Sequence, residues 1–104
     1  MARESVYDRW GNEIYLTDER WRHIVETHEE MVNFRDLLFA TVRTGHRRQD
    51  AFDPSKYKYV KRFADLPQEF THVVAVVKFS HRTVGQGVET PNNFILTAYQ
   101  VSRR

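Results

Sequence analysis

The stretch that decides the fold is His72–Val101, HVVAVVKFSHRTVGQGVETPNNFILTAYQV. Two apolar runs, His72–Phe79 and Phe94–Val101, flank a polar connector. Both are rich in Val, Ile, Phe, Thr and Tyr, whose branched or flat side chains suit a pleated, packed surface. In the first run Val73, Ala75, Val77 and Phe79 alternate with His72, Val74, Val76 and Lys78. In the second, Phe94, Leu96 and Ala98 alternate with Ile95, Thr97, Tyr99 and Val101. Each run has one apolar face and one mixed face. This predicts central strands whose apolar face, with Phe94, Leu96 and Ala98, packs on helices. The other face, with Thr97 and Tyr99, stays open. The connector Ser80–Asn92 holds two glycines and Pro91 and reads as a long, mobile hairpin loop.

Upstream, Tyr57–Phe63 reads as a strand interleaving aromatic and basic residues, and His46–Ala51 as a strand or edge. Asp53-Pro54-Ser55 is a turn signal, and Ala64–Glu69 is a second turn. Connections this short predict an antiparallel meander. Before it, Thr17 offers an N-cap hydroxyl, with Asp18 and Glu19 where a helix dipole favours acids. Trp21, Ile24, Val25 and His28 then form one stripe of a helix over 18–28. Asn33 reads as the cap of a second helix with stripe Phe34, Leu37, Leu38, Thr41 and Val42, stopped at Gly45. Ser5–Trp10 and Glu13–Leu16 flank Gly11-Asn12, a tight-turn dipeptide. The expected fold is α+β in a single domain, 1–104. An N-terminal β-hairpin (1–16) precedes two helices (17–45) packed on one face of a four-stranded antiparallel sheet (46–102).

The chain's 104 residues suffice for one core. At 40% hydrophobic and 13% aromatic, the composition excludes a disordered chain. The formal net charge is only +2, yet Lys and Arg concentrate in 43–62 and at Arg103-Arg104, while acids dominate 18–30. That distribution is either a local basic face or a solvated mixture of charges. The absence of Cys excludes disulfide scaffolds, Cys-based zinc sites and thiol nucleophiles, and it fits a cytoplasmic setting. No run approaches the roughly 20 apolar residues of a membrane span. Met1-Ala2-Arg3-Glu4 is not followed by the apolar region of a signal peptide. There is no glycine-rich phosphate loop, no H-E-x-x-H and no G-x-S-x-G. Asp18, Glu19, Glu26, Glu29 and Glu30 scatter around the first helix as a solvated face would, so neither a metal nor a cofactor is expected.

Three pieces then line up. Trp21-Arg22-His23-Ile24 is followed by His28-Glu29-Glu30-Met31; the second helix ends rich in Arg before a Tyr-Lys-Tyr strand; the closing strand carries Thr97-Ala98-Tyr99. This order resembles the small nuclease domains of the barnase–EndoU–colicin–RelE (BECR) superfamily. More narrowly, it looks like the phage-associated branch, with its W-x-H-I…H-P-E…T-A-Y layout, and the resemblance spans about Thr17 to Val101. Glu29 stands where that branch usually has Pro. The resemblance implies metal-independent RNA cleavage on the open sheet face. It also implies a toxin-like role in toxin–antitoxin or phage conflict systems, with an antitoxin or immunity protein as partner.

Such cleavage needs a base for the 2′-hydroxyl proton, cations for the phosphorane charge and an acid for the leaving oxygen. His23 and His28 are the candidates for the proton roles. Five residues apart, they point roughly 140° apart on a helix and cannot jointly grip a metal. His23 is either an exposed helix residue or a cleft base, and it ranks slightly ahead. His28 is either a packed histidine at a helix end or a member of the site. Arg43 and Arg47, with Arg48, either pair with the helix C-terminus or clamp phosphate. Lys58 and Tyr59, with Lys56, Tyr57, Lys61 and Arg62, either guard an edge strand or hold phosphates and stack bases. Thr97 and Tyr99 are ordinary strand residues or hydroxyl donors to a phosphate. The leading expectation is a metal-independent endoribonuclease using His-assisted general acid/base chemistry. The alternative is a non-catalytic nucleic-acid- or protein-binding module built on the basic, aromatic strand 57–62. Self-association through the N-terminal hairpin is a third reading, and the sequence does not fix the oligomeric state.

Overall fold

A computed structural model describes residues 2–103. Strands β1 (Arg3–Tyr7) and β2 (Glu13–Thr17) lead into helix α1 (Asp18–Thr27), a single 3-10 turn (Glu29–Met31) and helix α2 (Arg35–Thr44). Then follow β3 (His46–Gln49), β4 (Lys56–Arg62), β5 (His72–Lys78), β6 (His81–Val84), β7 (Val88–Pro91) and β8 (Asn93–Val101). The class is α+β, as the pattern predicts. The meander is also present, since β3–β4, β4–β5 and β5–β8 all pair antiparallel.

The sheet is larger than expected. It has six strands in the order β1-β2-β8-β5-β4-β3, and β2 runs parallel to β8 through Ile14–Asn93 and Tyr15–Phe94. The expected four-stranded antiparallel sheet with a separate hairpin is therefore corrected to a six-stranded mixed sheet. Burial is the physical reason. Ile14 and Leu16 need the same core as the meander, and β8 has a second edge to satisfy. Asn93 donates from Nδ2 to the Glu13 carbonyl at 3.1 Å across this junction.

Both helices lie on one face. Ile24, Met31, Leu38, Phe39 and Val42 pack against Ile14, Leu16, Val73, Ala75, Val77, Ile95 and Ala98. Each such side chain contributes about 1.5–3 kcal/mol when fully buried. Thr17 caps α1, its Oγ1 accepting from the Arg20 N–H at 3.1 Å. The start of α2 is corrected by one residue, because Phe34 rather than Asn33 holds the cap position, without a side-chain bond. Gly45 ends α2 because the helix is pressed onto β4. A Cβ there would lie 2.8 Å from the Val60 carbonyl oxygen and closer still to that of Thr41.

One more expectation changes. Val76 opposes Thr97 but Val77 opposes Ile95, so Leu96 is the extra residue of a β-bulge. The bulge shifts the alternation of β8. Ile95 before it and Ala98 after it both face the helices, and the Phe94-Leu96-Ala98 face does not exist as such. Thr97 and Tyr99 keep the open side. The connector Ser80–Asn92 is a hairpin as expected, and its arms pair as a two-stranded ribbon, β6–β7. Its tip Gly85-Gln86-Gly87 turns with positive φ at all three residues. No helix is long and apolar enough to cross a membrane.

Candidate functional site

Directly opposed residues in a sheet share a face. Strand register therefore maps the open face. One row across β8, β5, β4 and β3 is Thr97, Val76, Lys58 and Arg48. The next is Tyr99, Val74, Val60 and His46, and the last is Val101, His72 and Arg62. Neighbouring strands are about 4.8 Å apart, so Thr97 and Lys58 stand roughly 10 Å from each other. The face thus has an apolar centre of valines. Hydroxyl groups border it on the β8 side and cations on the β3–β4 side.

His28 joins the β8 border. Its ring lies 5.5 Å from that of Tyr99, tilted by 36°. Its Nδ1 is 3.7 Å from the Glu30 carboxylate. Glu30 is itself anchored, because its Oε2 accepts the Gln100 backbone N–H at 3.3 Å and so fills the part of the β8 edge that β2 leaves free. Gln100 returns the contact, donating from Nε2 to the Glu30 carbonyl at 2.9 Å. A carboxylate at Nδ1 favours a proton there and leaves Nε2 for chemistry. His28, Glu30 and Tyr99 thus lie in one cluster, an arrangement in which an imidazole can act as a base and a carboxylate can orient it.

The other expected residues separate. His23 lies 59% exposed on the outer side of α1, 3.9 Å from Glu19, beside Arg20 and Thr27. Arg43 is exposed in the last turn of α2, in the helical layer behind the sheet. Lys58 is exposed on the open face as expected.

Arg47 and Tyr59 go to the opposite face. Tyr59 has no exposed surface, and its hydroxyl donates to Asp8 Oδ2 at 2.5 Å. Arg47 is stacked between the rings of Trp10 (4.1 Å) and Tyr57 (4.5 Å) and lies 3.6 Å from Asp8 Oδ2. Tyr59 cannot stack a base from this position, and Arg47 is committed to a carboxylate. The cause is the period of two: the alternation that sends Lys58 outward sends Tyr57 and Tyr59 inward. Likewise Arg48, not Arg47, shares the face of Lys58.

Asp8 organises this inner cluster. Oδ1 accepts from the N–H groups of Trp10 and Asn12, both at 2.9 Å, and Oδ2 from Asn12 Nδ2 at 3.0 Å. The β1–β2 connection is thus a loop wrapped on Asp8 rather than a two-residue Gly-Asn turn. Burial pushes the Asp8 carboxyl up, but hydrogen bonds from Tyr59, Asn12 and Trp10 outweigh it and hold it below the ordinary value. Burial and the Asp8 hydrogen bond push the Tyr59 phenol well up.

A second hollow of about 350 Å³ opens where β3 begins and the end of β4 runs on past it, paired only with β5. His46, Arg62, His72 and Arg103 line it, with Arg9 and Lys61 behind. Partial burial, with Arg103 and Arg62 nearby, lowers the His72 pKa below its ordinary value. Residue-by-residue reading of the sequence named Arg62 with the basic strand but missed His46, Arg103 and Glu30 as site residues. His46 was within reach, because pairing His46–Ala51 with Tyr57–Phe63 in a tight register places it near Lys58 and Arg62. Among the described residues, no three His, Asp or Glu side chains converge as metal ligands would. No protein-family model, curated protein or solved structure matches this chain.

Proposed function

We propose that the protein is a metal-independent endoribonuclease that works on the open face of its sheet. The observation that carries this reading is the cluster of His28, Glu30 and Tyr99 bordering a face whose far side bears Lys58, Arg48 and His46. In this reading RNA lies across the strands. Lys58 and Arg48 hold backbone phosphates, and Arg does so through its planar fork.

His28 Nε2 takes the proton of a ribose 2′-hydroxyl, and Glu30 stabilises the imidazolium that forms. The freed oxygen attacks the adjacent phosphorus. The bond to the 5′-oxygen breaks, leaving a 2′,3′-cyclic phosphate and a 5′-hydroxyl. The Tyr99 and Thr97 hydroxyls donate to the non-bridging oxygens as charge gathers there. The same imidazolium can return its proton to the leaving oxygen, so a single histidine serves both steps. Toxin-like action, with a partner protein that neutralises it, follows from the resemblance of the W-x-H-I, His28-Glu29-Glu30 and T-A-Y pieces.

The test is incubation of the chain with single-stranded RNA in EDTA. Fragments ending in a 2′,3′-cyclic phosphate, lost in His28→Ala, are expected. Binding that depends on Lys58 but yields no fragments would leave the non-catalytic module as the function.

A further inference from the structure

We propose that the hollow at the start of β3 is a binding pocket for a phosphomonoester dianion, supplied by a free nucleotide or by the phosphorylated end of a nucleic acid. The pocket is a separate feature from the cleavage cluster, which lies across the sheet beside β8. It stands whether or not RNA is cut.

Charge is the first argument. Arg9, His46, Lys61, Arg62, His72 and Arg103 surround about 350 Å³, and the described residues lining it include no carboxylate. Some cations elsewhere are matched, Arg35 with Glu4 and Asp18, Arg47 with Asp8, and Lys56 and Lys78 with Asp53, while Lys58 and Arg48 stand apart on the open face. Among the described residues, none of the six in the hollow lies within 4.0 Å of an acid. The four permanent cations among them, Arg9, Lys61, Arg62 and Arg103, repel one another, and an anion removes that cost. A bridging phosphodiester brings one negative charge. A monoester brings about 1.5 to 2 and three strong acceptor oxygens, which suits several converging donors better.

Construction is the second argument. The Arg9 guanidinium is fixed by donating to the Thr44 carbonyl at the end of α2. His72 is fixed from behind, its Nδ1 lying 2.7 Å from Thr71 Oγ1. That hydroxyl already accepts the Arg103 N–H at 2.8 Å, and its other contacts, to the Val101 and Arg103 carbonyls, are longer at 3.4 and 3.3 Å. The short contact assigns the hydroxyl proton to Nδ1. The ring proton then sits on Nε2, which is left as a donor. The Arg103 backbone is tied to the same Thr71 oxygen, so guanidinium and imidazole are positioned together. The volume lies at the small end of ligand sites and suits one nucleotide.

The test uses the whole chain, titrated with AMP, adenosine, and a deoxy-trinucleotide with and without a 5′-phosphate. Deoxy substrates lack the 2′-hydroxyl, so binding is read without cleavage. Histidine ring resonances report the site. AMP should shift the His72 and His46 signals, adenosine should not, and the 5′-phosphate should tighten trinucleotide binding by about tenfold or more, roughly 1.4 kcal/mol. Arg62→Ala should erase that gain while circular dichroism stays native. AMP binding as tightly as the phosphorylated trinucleotide assigns the pocket to free nucleotides, and a clear preference for the trinucleotide assigns it to strand ends. Equal affinity with and without the phosphate, together with unmoved His72 and His46 signals in AMP, overturns the proposal.

Discussion

Asp8, at the end of β1, accepts a 2.5 Å hydrogen bond from Tyr59 in β4, although three strands separate β1 from β4 in the sheet. The two meet only because the sheet curls and the hairpin loop folds over its inner face. Arg47, from the far edge strand, joins the same oxygen at 3.6 Å. This contact ties one end of the sheet toward the other over the core.

Removing either partner should therefore loosen the closure, but unequally. Tyr59→Phe deletes one donor to a buried carboxylate and should cost about 1–3 kcal/mol. Asp8→Ala strands Arg47 beside the core and frees the loop amides as well, so its cost should reach about 3–5 kcal/mol. Urea unfolding of the two variants checks the order. Equal or negligible losses would show that the loop does not hold the curl.

Acid should unfold the protein through the same carboxylate. The folded-state pKa of Asp8 is depressed, so its stabilisation is complete above the unfolded value of 3.8 and disappears as pH falls through the folded value. Asp53, held at about 2 by the Ser55 hydroxyl and N–H and by Lys78, follows the same sign. Stability should thus fall from near pH 4 toward pH 2. Asp8→Asn should flatten that slope in a pH series of denaturation midpoints.

Gly45→Ala tests how tightly α2 presses on β4. The backbone angles at Gly45 suit any residue, so only the contact with Val60 and Thr41 opposes a methyl group. Overpacking of this kind costs about 1–3 kcal/mol, and a loss of 4–8 °C in Tm per kcal/mol is expected for a chain of this size. An unchanged Tm would mean that the helix end yields.

On RNA cleavage the two helix histidines should part company. His28→Ala should lower the rate by about 10²–10⁴-fold, the usual reach of a proton-transfer group. Glu30→Gln should lower it less and move the pH optimum, because it acts through His28. His23→Ala should have little effect, given its exposed place beside Glu19. Single-turnover rates against pH decide; a dominant role for His23 would reverse the assignment.

Lys58→Ala and Arg48→Ala should weaken RNA binding without sequence preference. Each lost phosphate contact should flatten the slope of log affinity against log salt by about 0.7 for a single strand. Tyr59→Phe, being internal, should leave that slope unchanged. The reverse pattern would place the RNA on the other face.

Much of this was readable in the sequence, and the misses share one origin. The apolar runs announced β5 and β8, Thr17 announced α1, and the open side of Thr97 and Tyr99 was foreseen. What failed was phase. Tyr59 and Arg47 were grouped with Lys58 by composition, whereas strand alternation sends them to opposite faces. The bulge at Leu96 defeats simple alternation, because an extra residue leaves no mark in hydrophobic pattern. The parallel pairing of β2 with β8 joins residues almost eighty apart, and no local signal encodes it. Asp8 fell within the expected hairpin segment Ser5–Trp10 and was not singled out, because its partners Arg47 and Tyr59 come from β3 and β4.

That parallel pairing also orders events in time. β8 is the last strand along the chain yet lies between β2 and β5, so hairpin and meander share no neighbouring strand in the sheet until Asn93–Val101 is translated. At about 5–20 residues per second, the ribosome leaves the earlier segments waiting on the order of ten seconds. Throughout that interval His28 lacks Tyr99, and the cationic surface has no finished sheet to stand on. On the proposed cleavage chemistry, the cluster stays incomplete until translation of β8.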